Sequence, residues 1–125
     1  MDKRVNKAMP FERVYFAVKQ NDGIGGQTVF FRNVPGGQIM TLLVEPSQKI
    51  VNHSPDGFNW GYAGSGPAQL ALAILLNVTS DPITASEYSA EFKNDYVQNW
   101  GRKFSVTRSE ILDWLNAKKG ELCRK

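Results

Sequence analysis

The segment over residues 68–76 is apolar at nearly every position, and it directly follows the pair Gly66-Pro67. Proline is favoured at the first position of a helix, because its missing N–H would have no partner there anyway. Either Ser65 or Gly66 would cap this helix, which we expect to end within residues 77–80. A helix that is apolar nearly all round must be buried on most sides, so the rest of the chain has to enclose it.

Three β-strands are predicted before this helix. Polar and apolar side chains alternate over residues 11–18, which is typical of a half-buried strand, and a second strand is predicted over residues 27–34. Residues 38–44 are apolar on both faces, so we expect this third strand at the centre of the sheet. Turns at residues 21–26 and 35–37 leave short connections, which favours an antiparallel meander.

Two further helices follow the apolar one. Thr84 and Glu87 have the spacing of a capping box, as have Thr107 and Glu110, and each pair predicts the start of a helix. The first of these helices carries an aromatic stripe, a pattern that is more often core than cofactor site, and the second should end before Gly120. The stripe consists of Ala85, Tyr88, Phe92, Tyr96 and Trp100.

These elements predict an α+β fold, with an antiparallel sheet of three to four strands packed on one buried helix and two flanking amphipathic helices. A length of 125 residues suits a single domain. We assign residues 1–10 to a flexible N-terminal segment, 11–117 to the α+β domain and 118–125 to a basic C-terminal tail.

The charge and cysteine content exclude some classes of protein. A net charge of +3 excludes an acidic mimic of DNA and does not establish nucleic-acid binding. The single cysteine, Cys123, cannot form an internal disulfide, which favours a reducing cytoplasm. With only one histidine we expect no metal site, and we expect no other cofactor. Neither a signal peptide nor a membrane span is predicted.

Residues 53–67 form a segment rich in glycine and aromatic residues that leads into the apolar helix. In an extended segment the rings of Phe58, Trp60 and Tyr62 would share one side, and the N-terminus of a helix favours an anion. We therefore expect a phosphate-bearing small molecule or a nucleotide to bind here, with cationic contacts from Arg13, Arg32 or Arg102. The predicted ligand-binding residues are His53, Asp56, Phe58, Trp60, Tyr62, Gly64, Ser65 and Gly66.

A structural role for this segment is the main alternative. Its glycines would let the loop pack tightly on the sheet, and its rings would form a lid over the core. A different alternative is a protein–protein interaction module that presents the rings as an exposed patch, a version that a buried Trp60 would exclude. Homo-oligomers remain open for either role.

Catalysis and nucleic-acid binding are less favoured. His53, Asp56 and Ser65 are the residue types of a catalytic triad, so a small serine hydrolase stays a second alternative. However, Ser65 lacks the strand and the Gly-x-Ser-x-Gly context of a nucleophile elbow, and a non-catalytic protein is favoured. Nucleic-acid binding would need one basic face, formed by Arg13, Lys19, Arg32 and Arg102.

The central block resembles a known family. Residues 52–62 (NHSPDGFNWGY) and 64–73 (GSGPAQLALA), with residues 92–93 and 111–115, are similar to the signature of small uncharacterised proteins from bacteria, archaea and phages. The resemblance covers about residues 11–117 and carries no assigned activity. It implies an accessory factor of phages or mobile elements in the host cytoplasm, with inhibition of a host defence factor as the alternative.

Overall fold

A computed structural model describes residues 12–124 of the chain, and the side chains of residues 12–121. The predicted flexible segment over residues 1–10 and the side chain of Cys123 lie outside this part. In chain order the elements are β1 (Glu12–Val18), β2 (Phe30–Val34), β3 (Met40–Thr41), α1 (Glu45–Ile50), α2 (Ser65–Thr79), α3 (Pro82–Asp95), β4 (Lys103–Thr107) and α4 (Arg108–Arg124).

The four strands form one antiparallel sheet in the order β3-β2-β1-β4. Tyr15 on β1 lies opposite Phe31 on β2 and Val106 on β4. Because directly paired residues share a face, these three side chains point to the same side of the sheet. The predicted α+β fold is confirmed, with β1 and β2 at the centre of the sheet.

Helix α2 is the buried helix that the sequence predicted. Residues 70–75 are at most 3% exposed, and they pack against the inner face of the sheet, where Tyr15 is 0% exposed. Gly64 is the N-cap and the helix begins at Ser65, so the predicted cap at Ser65 or Gly66 is wrong by one or two positions. It ends at Thr79, inside the expected interval.

The prediction of a central third strand over residues 38–44 is wrong. Strand β3 has only two residues and lies at the edge of the sheet, and Leu43 beyond it is 61% exposed. The chain leaves the sheet after Thr41, because a short helix that the sequence analysis missed begins at Glu45 with Pro46 in its first turn. Met40, Leu42 and Leu43 of this run border a cleft, and Leu42 is the one residue of the run that is buried.

The predicted start of α3 is also wrong. Asp81 caps this helix: one carboxylate oxygen accepts a hydrogen bond from Ile83 N at 3.1 Å, and the other accepts one from the Thr84 hydroxyl at 2.6 Å. Thr84 therefore supports the cap instead of being the cap. The helix ends at Asp95, so Trp100 lies beyond it, with its ring stacked on Phe104 at 4.0 Å.

The second capping box is confirmed. Thr107 N donates to the Glu110 carboxylate at 3.1 Å, and Glu110 N donates to the Thr107 hydroxyl at 3.1 Å, where α4 begins. The expected end of this helix before Gly120 is wrong, because α4 continues to Arg124. Lys118 accordingly lies on the helix, and its Nζ forms a salt bridge with Asp95 at 3.3 Å.

None of the helices in the described part of the chain combines the length and the apolar character needed to cross a membrane. Nor do residues 12–121 bring together three or more histidine, cysteine, aspartate or glutamate side chains in a group that could hold a metal ion.

Candidate functional site

Gln69, on the buried helix α2, fixes the beginning of the glycine- and aromatic-rich segment, which we call the signature loop (residues 52–67). Its side chain is 0% exposed, and its Oε1 accepts a hydrogen bond from Ser54 N at 2.9 Å. Its Nε2 donates to Ser47 Oγ at 2.8 Å and to Val51 O at 3.1 Å. One buried amide thus connects the signature loop to both α1 and α2.

Trp60 fixes the middle of the signature loop. It is 0% exposed, its Nε1 donates to Gly101 O at 2.7 Å, and its ring meets Phe104 edge-on at 4.9 Å. Phe58 is 3% exposed, whereas Tyr62 is 47% exposed. Burial of Trp60 excludes the exposed-ring version of the interaction module. Two of the rings close the core, as the structural alternative predicted.

The predicted basic face does not exist as one surface. Lys19 Nζ donates to Trp60 O and lies over the rings of Trp60 and Tyr62, at 5.4 and 5.6 Å. Burial, together with the nearby Arg102, lowers the pKa of Lys19. The ammonium group of Lys19 is thus used to hold the signature loop.

The two arginines on the central strands do not share a surface either. Arg13 lies opposite Asn33, and Arg32 lies opposite Val14, so the two side chains point to opposite faces of the sheet.

A small polar cavity, the loop pocket, lies between the signature loop, the turn at Gly25-Gly26 and the start of α2. Its volume is about 190 Å³. Gly66 makes this packing possible, because a Cβ atom there would lie 2.8 Å from Asn59 Cβ. The pocket brings together the predicted residues Asp56, Phe58, Tyr62, Ser65 and Gly66, while His53, Trp60 and Gly64 are not among its lining residues.

The three triad candidates are not assembled in the structure. Asp56 and Ser65 both line the loop pocket, and His53 does not. No hydrogen bond joins any two of the three, and all three side chains are exposed. Serine hydrolysis needs a base in contact with its nucleophile, so the hydrolase alternative stays a prediction without a supporting contact.

A larger and mostly apolar cavity, the Arg13 cleft, lies between the β2–β3 edge of the sheet and helices α1 and α2. Its volume is about 520 Å³. Arg13, Asn77 and Ser47 are among its polar lining residues. Its apolar walls include Phe31, Leu42, Leu43, Pro46, Ala73 and Leu76.

The polar end of the Arg13 cleft is held by hydrogen bonds. Arg13 Nε donates to Asn33 Oδ1 at 2.8 Å, and Arg13 Nη1 donates to Asn77 Oδ1 at 2.8 Å. The Tyr15 hydroxyl donates to the same Asn77 oxygen at 2.6 Å. The guanidinium carbon also lies 4.9 Å from the centre of the Phe31 ring. Arg13 is therefore held in place by Asn33, Asn77 and Phe31.

This end of the cleft offers hydrogen-bond donors. Because Asn77 Oδ1 accepts two bonds, the orientation of its amide is set, and its Nδ2 makes no hydrogen bond with a described residue. The Nη2 group of Arg13 likewise has no hydrogen-bond partner among residues 12–121. Burial raises the pKa of Tyr15 to about 12, an effect that Arg13 opposes, so the hydroxyl remains a neutral donor. The cleft thus combines apolar walls with one cation and free N–H groups.

Sequence reasoning found the loop pocket but not the Arg13 cleft. The loop residues are contiguous, whereas Arg13 and Asn77 are 64 positions apart. The only signal for the cleft was the expectation that Arg13 could contact an anionic ligand.

Comparison with known proteins gives a family and no activity. A family model described as a family of unknown function, DUF6166, matches residues 25–117. The match contains the whole loop pocket, whereas Arg13 and Tyr15 precede it. Searches of curated proteins and of solved structures found no match. Because the family model covers well over half of the chain, this protein belongs to DUF6166.

Proposed function

We propose that this protein is a non-catalytic binder of a small organic anion and that the ligand lies in the Arg13 cleft. The observation that carries the proposal is the pairing of apolar walls with an end that combines one positive charge with N–H groups that have no hydrogen-bond partner among the described residues. Small-molecule sites are typically apolar cavities of about 300–1,000 Å³ with a few convergent polar groups. The cleft, at about 520 Å³, has this size and composition.

The chemistry of the cleft selects an amphipathic ligand. A carboxylate or phosphate would accept hydrogen bonds from Arg13 Nη2 and Asn77 Nδ2, and such charge-assisted bonds are stronger than neutral ones. The apolar part of the ligand would lie against Phe31 and Leu42. Because Arg13 is already held by Asn33 and Asn77, little side-chain entropy would be lost on binding.

Titration calorimetry with decanoate tests this proposal, and decanol, which has the same chain without the charge, is the matched ligand control. Leu43 borders the cleft and is 61% exposed, so a charged residue there should not affect folding. We expect decanoate to bind more tightly than decanol. Leu43→Glu should weaken decanoate binding by about fivefold, since like charges about 4 Å apart in water repel by ~1 kcal/mol, while Leu43→Lys should not weaken it.

Two results would contradict this assignment. One is equal affinity for decanoate and decanol, because the arginine would then contribute nothing to binding. The other is an equal effect of Leu43→Glu and Leu43→Lys, because an anionic ligand must distinguish the two charges.

A second candidate is the phosphate or nucleotide site that the sequence predicts at the signature loop. Its support is the convergence of five predicted residues on the loop pocket at the N-terminus of α2, within the residues that the family model matches. The Asp56 carboxylate also lines this pocket, and its negative charge would weaken the binding of an anion.

Removal of this charge tests the second candidate. If the pocket binds phosphate, Asp56→Asn should raise the affinity for inorganic phosphate or adenosine monophosphate, whereas Asp113→Asn, at an exposed position on α4, should not. If neither ligand changes the melting temperature of either variant, this candidate is rejected.

An accessory role in phages or mobile elements and the inhibition of a host defence factor are proposals that rest on the family resemblance. The proposal of a cytoplasmic location rests on the single cysteine as well. Because Trp60 is buried, it cannot contact a host protein. The docking surface on this chain would have to consist of the exposed apolar side chains around β3, such as Ile39 and Met40. Loss of a purified partner's binding in Met40→Lys, but not in Ile83→Lys on α3, is the result expected for such a complex.

A further inference from the structure

The sheet has a second face that the described helices leave open. Phe16 lies opposite Phe30 on β2 and Ser105 on β4, so these side chains share a face, which we call the outer face. The neighbouring residues Tyr15 and Ala17 point inward, are 0% and 3% exposed, and belong to the core with the helices. No described residue of the outer face is fully buried, and Val18 there is 55% exposed.

Two aromatic rings lie side by side at the centre of the outer face. The ring centres of Phe16 and Phe30 are 5.9 Å apart, with an angle of 31° between the planes, and both side chains are half-buried. Next to them is a shallow depression of about 330 Å³, bordered by Val18, Gln20 and Lys103. The two central strands therefore present an apolar surface with two aromatic rings side by side.

Positive charge lies on both sides of the two rings. Arg32 follows Phe30 by two positions on the same face, and Lys103 lies opposite Val18, two positions beyond Phe16. Neither forms a salt bridge with a residue in the described part of the chain. Glu12 is the one acidic side chain that the described strands place on this face, and its Oε1 already accepts hydrogen bonds from two backbone N–H groups, at 3.0 and 3.2 Å. The outer face thus carries two cationic side chains against one carboxylate, which leaves a net positive charge.

We propose that the outer face binds single-stranded nucleic acid, with bases stacked on Phe16 and Phe30 and phosphates bound by Arg32 and Lys103. Sheet surfaces that carry exposed aromatic rings recognise unpaired bases in this way, and stacking tolerates any base because every base has a π face. A second copy of the chain is less suitable as the occupant, because it would bring the same positive charges to the interface. The Arg13 cleft lies on the inner side of the sheet, so the two sites are independent.

Fluorescence anisotropy with labelled ten-residue oligothymidylate and oligouridylate tests this proposal on the full chain. Two phosphate contacts predict a plot of log affinity against log salt concentration with a slope of about −1.4, and Arg32→Gln or Lys103→Gln should each reduce it by about 0.7. Phe16→Leu and Phe30→Leu keep an apolar side chain but remove the ring, and each should weaken binding roughly tenfold. Lys49→Gln, at an exposed position on α1, is the matched charge control and should change nothing.

The same experiment shows which nucleic acid the protein prefers. Tighter binding of oligothymidylate indicates DNA, tighter binding of oligouridylate indicates RNA, and equal affinity indicates that the protein recognises bases and phosphates, which both share. Affinity that does not depend on salt, or that is unchanged in both leucine variants, would overturn the proposal. Sedimentation that shows a dimer which Phe16→Lys dissociates would also overturn it, because a second copy would then occupy the face. Decanoate binding should be unaffected by all these variants, so failure here is distinguishable from failure of the Arg13 cleft.

Discussion

At the scale of single residues, Gln69 shows how one buried polar side chain positions a whole segment. Its amide makes three hydrogen bonds, to Ser54 of the signature loop, to Ser47 of α1 and to Val51 directly after α1, and none of its surface is exposed. Buried polar groups contribute to a unique structure when every partner is satisfied and are costly when one is removed. The glutamine in this apolar helix is therefore a structural requirement of the signature loop.

Replacing Gln69 should destabilise the protein strongly. Gln69→Leu leaves Ser54 N buried without a partner and also removes the bonds to Ser47 Oγ and Val51 O. We expect a loss of about 3 kcal/mol in the free energy of unfolding, at ~1–3 kcal/mol for a buried unpaired group. Urea denaturation measures this change. Gln38→Leu, at an exposed position, is the control and should shift the free energy by less than about 0.5 kcal/mol. Equal effects of the two substitutions would contradict the role given to Gln69.

Tyr15 predicts a dependence of stability on alkaline pH. Burial raises its pKa from 10.0 in the unfolded chain to about 12 in the folded protein. A raised pKa means that the folded state keeps the proton while the unfolded state loses it, so this contribution is complete below pH 10 and is lost as the pH rises to 12. The loss should reach about 2–3 kcal/mol, at ~1.4 kcal/mol for each pKa unit.

Comparison with Tyr15→Phe isolates this contribution, because the lysines titrate in the same range in both proteins. The difference in unfolding free energy between the two should shrink between pH 10 and pH 12. A difference that stays constant over that interval would show that Tyr15 is not protected by burial.

At the scale of elements, the junction between the signature loop and α2 depends on the absence of a side chain. A Cβ atom at Gly66 would lie 2.8 Å from Asn59 Cβ and 3.1 Å from Asn59 N, whereas one at Gly120 in α4 would meet nothing within 4 Å. Gly66→Ala should therefore cost about 1–3 kcal/mol through overpacking. Gly120→Ala should instead stabilise α4 by about 0.5–1 kcal/mol, as alanine does in helices. Thermal denaturation that moves both melting temperatures in the same direction would contradict this account.

The elements also show which sequence signals were sufficient. The box at Thr107 and Glu110 predicted a helix start correctly, because its two residues satisfy each other's backbone N–H groups locally. The same pattern at Thr84 predicted the wrong start of α3, because Asp81 lies one position before Pro82 and provides a stronger cap. The prediction of a third strand over residues 38–44 was wrong for a different reason. An apolar run predicts contact with other apolar groups, but it does not indicate whether the run lies in the core or along a cleft.

At the scale of the whole molecule, β1 connects the two proposed sites. Its side chains alternate between the two faces of the sheet. Arg13 and Tyr15 point to the inner face and are hydrogen-bonded to Asn77 at the polar end of the Arg13 cleft, whereas Phe16 points to the outer face. The loop pocket could be predicted from sequence because its residues are neighbours in the chain. The Arg13 cleft could not, because only folding brings β1, β3 and the end of α2 together.

The most direct test of the central claim is nuclear magnetic resonance titration of the ¹⁵N-labelled protein with decanoate. We predict saturable shift changes that centre on the amides of Leu42, Leu43 and Asn77 and on the Arg13 side-chain Nε, with the amides of Asp56 and Ser65 unchanged. Changes centred on Asp56 and Ser65, or no saturable change at the Arg13 cleft, would contradict the assignment of the ligand site.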